Sequence, residues 1–300
     1  MLPNNQRRRA ELSVLLIWDA ILSGLLLGAF YAALAVGVTI AFGMLNVPNI
    51  AHTALTVLGA FLVFSLNSAA GIDPVLSSLL IAPLFFLAGA ATYQIYHVSF
   101  ERRGQDSFRG LTFFFGIMFI VEMALTLIFG VDIRSVDASY TKGILRIGDS
   151  IVPYRLLAPA AASLAMLLII YVGLHRTYFG RAILAGSEDQ LALRLMGVNP
   201  IRMRKIAFGI AFSTAAVSGG LMIMMQPIMP QTGQGFIGTV FAICVLGGLP
   251  STLGTLLGAF LLGLSESIMG TFFGPSWAPV IAFSVLLLAL AVRPQGLLGR

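Results

Sequence analysis

Apolar runs of membrane-spanning length recur from Leu12 to Val292 and constrain the fold of this chain more than any other feature. A helix needs about 20 consecutive, mainly apolar residues to cross the ~30 Å hydrocarbon core of a bilayer. Hydrophobic residues make up 58% of the chain and charged residues only 10%, whereas soluble domains average about 25% charged residues. The sequence therefore predicts an all-α, polytopic membrane protein with a single transmembrane domain over residues 1–300.

The first apolar stretch, Leu12–Leu45, is longer than one crossing requires. Its 34 residues would form a helix of about 51 Å, against a hydrocarbon core of ~30 Å. We therefore expect two short spans that divide near Gly28. The other spans are expected at Ala51–Asn67, Val75–Val98, Leu111–Gly130, Leu156–Leu174, Ile206–Ile228, Gly235–Leu249, Leu253–Phe272 and Pro279–Val292. The total is ten crossings, and eight crossings with two re-entrant segments is the alternative.

The basic residues lie in short loops between the apolar runs, so the net charge of +6 reports membrane orientation and does not indicate a nucleic-acid-binding face. Cytoplasmic loops are enriched in Lys and Arg. Arg7–Arg9, the loop 101–109 and the C-terminal Arg293 and Arg300 are therefore expected in the cytoplasm, which puts both termini there. The mixed charges of residues 131–155 suit the outside face.

The sequence carries no signature of an enzyme. No G-x-x-x-x-G-K-[ST] motif occurs, so the chain has no phosphate-binding P-loop and does not hydrolyse ATP by that route. The single cysteine, Cys244, lies in an apolar run and supports neither a disulfide framework nor a thiol–metal cluster. No nucleophile–base or metal-ligand spacing is visible. We therefore expect no catalytic residue, no metal site and no cofactor in this chain.

One charged segment, residues 175–205, interrupts the apolar sequence and is called the island below. The orientation pattern places it in the cytoplasm, after the sixth crossing. Two short helices are expected, at Tyr178–Gly186 and Ser187–Gly197, because Ser187 followed by Gln190 is a capping-box pattern and a terminal glycine is a natural helix end. A helix of about nine residues cannot cross a bilayer, so it must lie along the surface.

The second island helix carries both acidic and apolar residues. Glu188 and Asp189 fall in its first turn, where the helix dipole favours carboxylates. Apolar residues at helical spacing form one side of it: Leu191, Ala192, Leu195 and Met196. This side can dock on a soluble partner or pack back on the membrane domain, and the sequence leaves both possibilities open.

Polar residues cluster at two predicted helix breaks. Lipid cannot satisfy the backbone groups of a broken helix, so a break is tolerated where it lines protein or a water-filled path. The first break, Asn46–Asn49, and the second, Gln226–Gly235, occupy corresponding positions in the two halves, as breaks at transporter sites do. The candidate path residues are Asn46, Asn49, His52, Thr53, Thr56, Gln231 and Gln234. Irregular loop ends at the membrane surface are the alternative.

Three carboxylates fall within the predicted spans: Glu122, Glu266 and, nearer a span end, Asp19. A charged side chain in the membrane costs ~2.5–3.5 kcal/mol on insertion scales, so each should face the bundle and have a partner. Structural pairing across helices is the favoured interpretation. The alternative is a proton relay through Glu122 or Glu266, which would make the chain a stand-alone proton-coupled secondary transporter.

Four motifs, in order along nearly the whole chain, resemble those of branched-chain amino acid ABC importer permeases. They are Asn49-Ile50-Ala51-His52; Gly180-Arg181-Ala182 with Glu188-Asp189, Ala192 and Met196-Gly197-Val198-Asn199; Val245–Ser251 with Gly254 and Gly258; and Arg293–Gly299. Each match is modest, but four in the right order are specific. Family members usually have Gly-Glu after the histidine, where this chain has Thr53-Ala54.

The resemblance implies a ten-helix fold of the vitamin B12-importer type, in two repeat-like halves, in a bacterial inner membrane. It also implies that the island couples to an ATP-binding subunit through Gly180, Arg181, Ser187, Glu188, Asp189, Leu191, Ala192, Leu195 and Gly197. The implied partners are two ATP-binding subunits, which hold ATP and Mg, a second permease that is usually a paralogue, and a periplasmic binding protein. The implied substrate is a branched-chain amino acid or a related small polar or carboxylate compound.

Overall fold

The computed structural model describes residues 4–103, 107–147, 150–293 and 295–298. They form a helical bundle with one small antiparallel hairpin of β1 Ile144–Ile147 and β2 Ser150–Pro153. The helices are α1 Asn4–Val38, α2 His52–Ala70, α3 Pro74–Ser99, α4 Ser107–Phe129, α5 Tyr154–Arg176, α6 Tyr178–Glu188, α7 Gln190–Leu195, α8 Pro200–Met225, α9 Thr232–Gly247, α10 Thr252–Phe273 and α11 Ala278–Val292. The predicted all-α polytopic class is confirmed.

Among the described residues, seven helices are long and apolar enough to cross a membrane, and two apolar helices are shorter, Thr232–Gly247 and Phe283–Val292. Together these nine described helices are one fewer than the ten expected crossings, because the predicted division near Gly28 is wrong. α1 runs on without a break, and its last turn, Thr39–Met44, widens into a π-helix. Gly28 is a packing position instead, since a Cβ there would lie 2.8 Å from the Cα of Phe260 in α10.

α8 lies at the centre of the bundle and packs along α3, α2, α1 and α5. Small residues let these helices approach closely. A Cβ on Gly89 of α3 would lie 2.7 Å from the Phe208 carbonyl oxygen, and one on Gly59 of α2 would lie 2.9 Å from the Cα of Ala216. Because lipid supplies no hydrophobic drive for helix association, such close backbone packing holds α8 in place.

The bundle has two ends, named here after the island and the hairpin. At the island end, the π-helical turn that closes α1 contacts α6. α1 runs antiparallel to α10, since the hydroxyls of Thr39 and Thr255 lie 2.7 Å apart and Ser267 Oγ donates to the Ala20 carbonyl at 2.7 Å. α1 also contacts β2. The first half of α1 therefore lies at the hairpin end.

This arrangement contradicts the expectation that Arg7–Arg9 and the loop 101–109 lie on the same side of the membrane. Three helices, and not four, separate the start of α1 from Glu101. Glu101 pairs with Arg204 at the island end. Arg7–Arg9 and the loop 101–109 are thus at opposite ends of the bundle, because the unbroken α1 removes one crossing from the count. Residues 104–106 of that loop lie outside the described residues.

Candidate functional site

The first helix break turns the chain back into the bundle. Asn46 follows the π-helical turn in a left-handed conformation, with φ 56°, and its amide donates to the Phe42 carbonyl at 3.1 Å. α2 then begins at His52, whose Nε2 lies 3.1 Å from the carbonyl oxygen of Leu34, near the end of α1. Gly37 makes this possible, because a Cβ there would overlap the His52 ring. The start of α2 is therefore enclosed by protein.

The second break brings α9 to the same place. α8 ends at Met225 and α9 begins at Thr232. Gly233 is the second residue of α9, and a Cβ on it would lie 2.9 Å from the carbonyl oxygen of Thr53. The two breaks, about 180 residues apart in the sequence, therefore meet at the first turns of α2 and α9. This junction is called the break junction below.

Exposure divides the candidate path residues into two groups. Four of them are buried within this chain: Asn49, His52, Thr53 and Thr56 are each at most 3% exposed. Three are exposed: Asn46, at the island end, and Gln231 and Gln234, on α9. In the buried group, both amide atoms of Asn49, His52 Nδ1 and Thr53 Oγ1 have no hydrogen-bond partner. The exposed polar residues next to the break junction are therefore Gln231 and Gln234, and we call the surface that they form the polar face of α9.

Two of the three intramembrane carboxylates have partners on distant helices. Tyr31 donates to Glu266 Oε2 at 2.5 Å, linking α1 to α10. Gln234 Nε2 donates to both oxygens of Glu122, at 2.8 and 2.7 Å, linking α9 to α4. Asp19 Oδ1 is buried without a partner. These pairs agree with structural pairing across helices, but neither partner was identifiable from the sequence.

Within the described residues, no group of three His, Cys, Asp or Glu is placed to hold a metal ion.

The island folds into two short helices, α6 and α7, but their boundary differs from the prediction. Asp189 is the N-cap of α7, and its Oδ1 accepts from the amides of Leu191 at 2.7 Å and Ala192 at 3.0 Å. Ser187 does not cap α7; it lies within α6 and donates to the Leu184 carbonyl at 2.6 Å. Gly197 ends the segment with φ 79°, as its predicted position required.

The island presents one apolar patch to its surroundings. Leu191, Leu195 and Met196 are 67%, 82% and 79% exposed. Arg181, Glu188 and Ala192 are also exposed. One of the two possibilities for the apolar side of α7 is thereby excluded, because these leucines do not pack back on the bundle, and docking on a soluble partner stays a prediction. The residue that does is Leu193, which is 4% exposed. It was not among the predicted residues.

Gly180 has a different place from the other predicted coupling residues. It is buried where α6 meets the end of α5, and a Cβ there would overlap the backbone of Gly173 and Leu174. Thr177 caps this turn by accepting from the Gly180 amide at 3.1 Å. Gly180 therefore sets the angle at which the island leaves α5 and is not part of its outer surface.

A cluster of polar side chains joins the island to the bundle, and it was not predicted from the sequence. Glu101 accepts from Tyr93 at 2.7 Å, lies 2.6 Å from His97 Nδ1 and pairs with Arg204. Arg204 lies in the second turn of α8, at the end of the island. The i,i+4 spacing of His97 and Glu101 was a local signal, but Arg204 is 103 residues from Glu101. We call these four residues the α3–α8 clamp.

The C-terminal residues pack against the end of α9 at the island end of the bundle. Leu297 and Leu298 donate their amides to the carbonyls of Leu246 and Gly247, at 2.8 and 3.1 Å. A Cβ on Gly296 would lie 2.5 Å from the Gly248 backbone, so the two segments are in close contact. The third and fourth sequence motifs therefore pack on each other, although Pro294, Gly299 and Arg300 lie outside the described residues.

The family model described as "Branched-chain amino acid transport system / permease component" matches residues 20–290. The chain belongs to this permease family. It is 27% identical over 292 residues to the high-affinity branched-chain amino acid transport system permease protein BraD of Pseudomonas aeruginosa, covering 93% of this chain and 95% of BraD. It is 26% identical over 291 residues to the corresponding protein LivH of Escherichia coli, covering 93% of this chain and 94% of LivH.

A second type of permease from such a system matches part of this permease. LivM of Salmonella typhimurium is 33% identical over 141 residues, which are 46% of this chain and 33% of LivM. No solved structure matches this chain. Relatives that match nearly end to end are ABC transporter permease components, so the predicted ABC importer permease class is confirmed.

Proposed function

We propose that this permease forms one half of the translocation path for a branched-chain amino acid or a related small polar or carboxylate substrate. The relatives BraD and LivH are named for branched-chain amino acid transport. The observation that carries the mechanism is the exposed apolar patch of Leu191, Leu195 and Met196, on a helix too short to cross the membrane. Large apolar side chains on a charged surface helix mark a docking site for another protein.

The partner of the island is an ATP-binding subunit. Two such subunits supply ATP and Mg binding, while this chain contains no P-loop, holds no cofactor and catalyses no covalent step. Arg181, Ser187, Glu188 and Asp189 belong to the docking region with the apolar patch. ATP binding moves the island, and this movement enters the bundle where α6 contacts the π-helical turn that closes α1.

The second half of the path comes from another permease subunit. A paralogue of the LivM type fits, since LivM of Salmonella typhimurium is a separate permease in a system of this kind. The face of α9 with Gln231 and Gln234 lines the path, because two amide side chains exposed to lipid would be costly. The buried polar group, Asn49, His52, Thr53 and Thr56, lies behind this face and becomes accessible when the break junction opens.

The chain lies in the inner membrane of a bacterium as one permease domain over residues 1–300. The island end faces the cytoplasm and the hairpin end, with residues 131–155, faces the periplasm and a substrate-binding protein. This orientation puts the C-terminal residues in the cytoplasm and the start of α1 at the periplasmic face. The basic loop at Arg102 and Arg103 then satisfies the enrichment of cationic residues on the cytoplasmic side.

Reconstitution tests this function. We expect the permease to co-purify with ATP-binding subunits, and liposomes containing that complex to take up radiolabelled leucine only with ATP and a binding protein present. Leucine uptake by liposomes holding this chain alone, driven by a proton gradient, would instead establish a secondary transporter. Unchanged uptake without ATP-binding subunits would also reject the role proposed for the island.

A further inference from the structure

Glu122 is a carboxylate inside the membrane without a charged partner in the described part of the chain. It lies seven residues before α4 ends at Phe129, which is about 10 Å along the helix. Its side chain is 4% exposed. None of the ion pairs of the described residues includes it. Among the described residues, its carboxylate oxygens accept only from the amide of Gln234. A neutral amide orients this carboxylate but does not balance its charge.

Gln234 connects Glu122 to the polar face of α9. Gln231, Gln234 and Gly235 share one side of the helix at i, i+3, i+4 spacing, and all three are exposed. Gly233, directly before Gln234, packs on Thr53 at the break junction. The sequence has no carboxylate directly after His52, and Glu122 brings one to this junction from α4.

We propose that Glu122 and Gln234 form a subsite of the translocation path that binds the ammonium group of a substrate. An ammonium supplies the positive charge and the donors that this carboxylate lacks, and the attraction between the two charges is stronger in a low-dielectric site than in water. The subsite favours amino acids over ureas, amides and carboxylates without an amine. This inference rests on the proposed function in one respect, namely that the α9 face lines the path.

Charge-selective labelling tests the subsite directly. Gly235→Cys introduces a thiol on the same face, where a Cβ meets nothing within 4 Å. The natural thiol is removed with Cys244→Ala. The complex in membranes is treated at low ionic strength, where screening is weak, with a cationic and with an anionic methanethiosulfonate. Each labelling rate is divided by the rate of the same reagent with a free thiol in solution. We expect this relative rate to be about tenfold higher for the cationic than for the anionic reagent, because a negative cleft concentrates cations.

The matched control is the same variant carrying Glu122→Gln, which retains a side chain that can pair with Gln234. Here the two reagents should react at equal relative rates. A ratio near one with Glu122 in place would mean that the carboxylate is protonated, and would overturn the proposal. Absence of labelling by both reagents would also overturn it, because the α9 face would then lie outside the aqueous path.

Competition tests the ligand. Butylammonium should slow labelling of the Gly235→Cys thiol by an uncharged methanethiosulfonate at least about fivefold when Glu122 is present, and should have no effect in the Glu122→Gln background. Equal amounts of butanol and butyrate serve as controls and should have no effect in either. Slowing that does not depend on Glu122 would contradict ammonium binding. These results do not require ATP-driven uptake, so failure of the subsite and failure of the importer function remain distinguishable.

Discussion

At the scale of single residues, the polar side chains inside the bundle have two different roles. Tyr31 and Glu266 pair directly at 2.5 Å, and both are at most 7% exposed, so they form a closed link between α1 and α10. Asn49 and Thr53 are as deeply buried but have unpaired polar atoms. A paired group stabilises one arrangement, whereas unpaired groups destabilise the closed break junction and favour its opening.

The link between Tyr31 and Glu266 makes a testable difference to stability. Tyr31→Phe leaves the Glu266 carboxylate buried without its donor, and should cost about 1–3 kcal/mol. The measurement is thermal unfolding of the detergent-solubilised complex. Adding Glu266→Gln to Tyr31→Phe should recover part of the loss, because a neutral amide is cheaper to leave unpaired than a carboxylate. Equal melting temperatures for wild type and Tyr31→Phe would show that the pair contributes nothing.

At the scale of elements, the sequence predicted what depends on local pattern. Most spans, the two island helices and the helix end at Gly197 follow from apolar run length and turn residues, and the structure contains them. The division near Gly28 was wrong because length alone does not show that α10 packs closely on α1. The predicted Ser187 cap was wrong because two capping residues lie close together, and the extension of α6 to Glu188 gave the role to Asp189. Partners more than 100 residues apart, such as Glu122 and Gln234, leave no local pattern.

Within the island, α7 offers a matched pair of substitutions on one helix. Leu195→Asp alters a side chain that is 82% exposed, so it should leave permease stability unchanged but lower ATP-binding-subunit association and leucine uptake about tenfold or more. Leu193→Asp buries a charge at a site that is 4% exposed, and should destabilise the island itself. Pull-down, uptake and limited proteolysis separate the two effects. Normal association of the Leu195→Asp variant would exclude the apolar patch from the interface.

At the scale of the whole molecule, α8 is the element that links the proposed ATP-dependent movement to the path. It begins within the island, at Pro200, and it packs along α2, where Gly219 meets the backbone of Thr56 near the break junction. Ser218 of α8 also donates to the carbonyl of Ala33 in α1 at 2.9 Å. Because packed helices move as rigid bodies, displacement of the island end of α8 reaches the break junction without requiring a change within the helix.

We predict that the α3–α8 clamp transmits that movement from the island to the bundle. Arg204 and Glu101 are 14% and 18% exposed, so their attraction is less screened than that of a surface pair. Arg204→Ala removes the cation and leaves Glu101 with Tyr93 and His97 as its partners among the described residues. We expect the island to move without carrying α8, so that ATP hydrolysis continues while uptake falls. The measurement is the number of ATP molecules hydrolysed per leucine transported, which should rise about threefold or more, since residues in contact within one salt-bridge network couple by about 0.5–3 kcal/mol. Arg204→Lys keeps the charge and should stay near the wild-type ratio. If uptake and hydrolysis fall together in Arg204→Ala, the clamp supports the fold and does not couple the two processes.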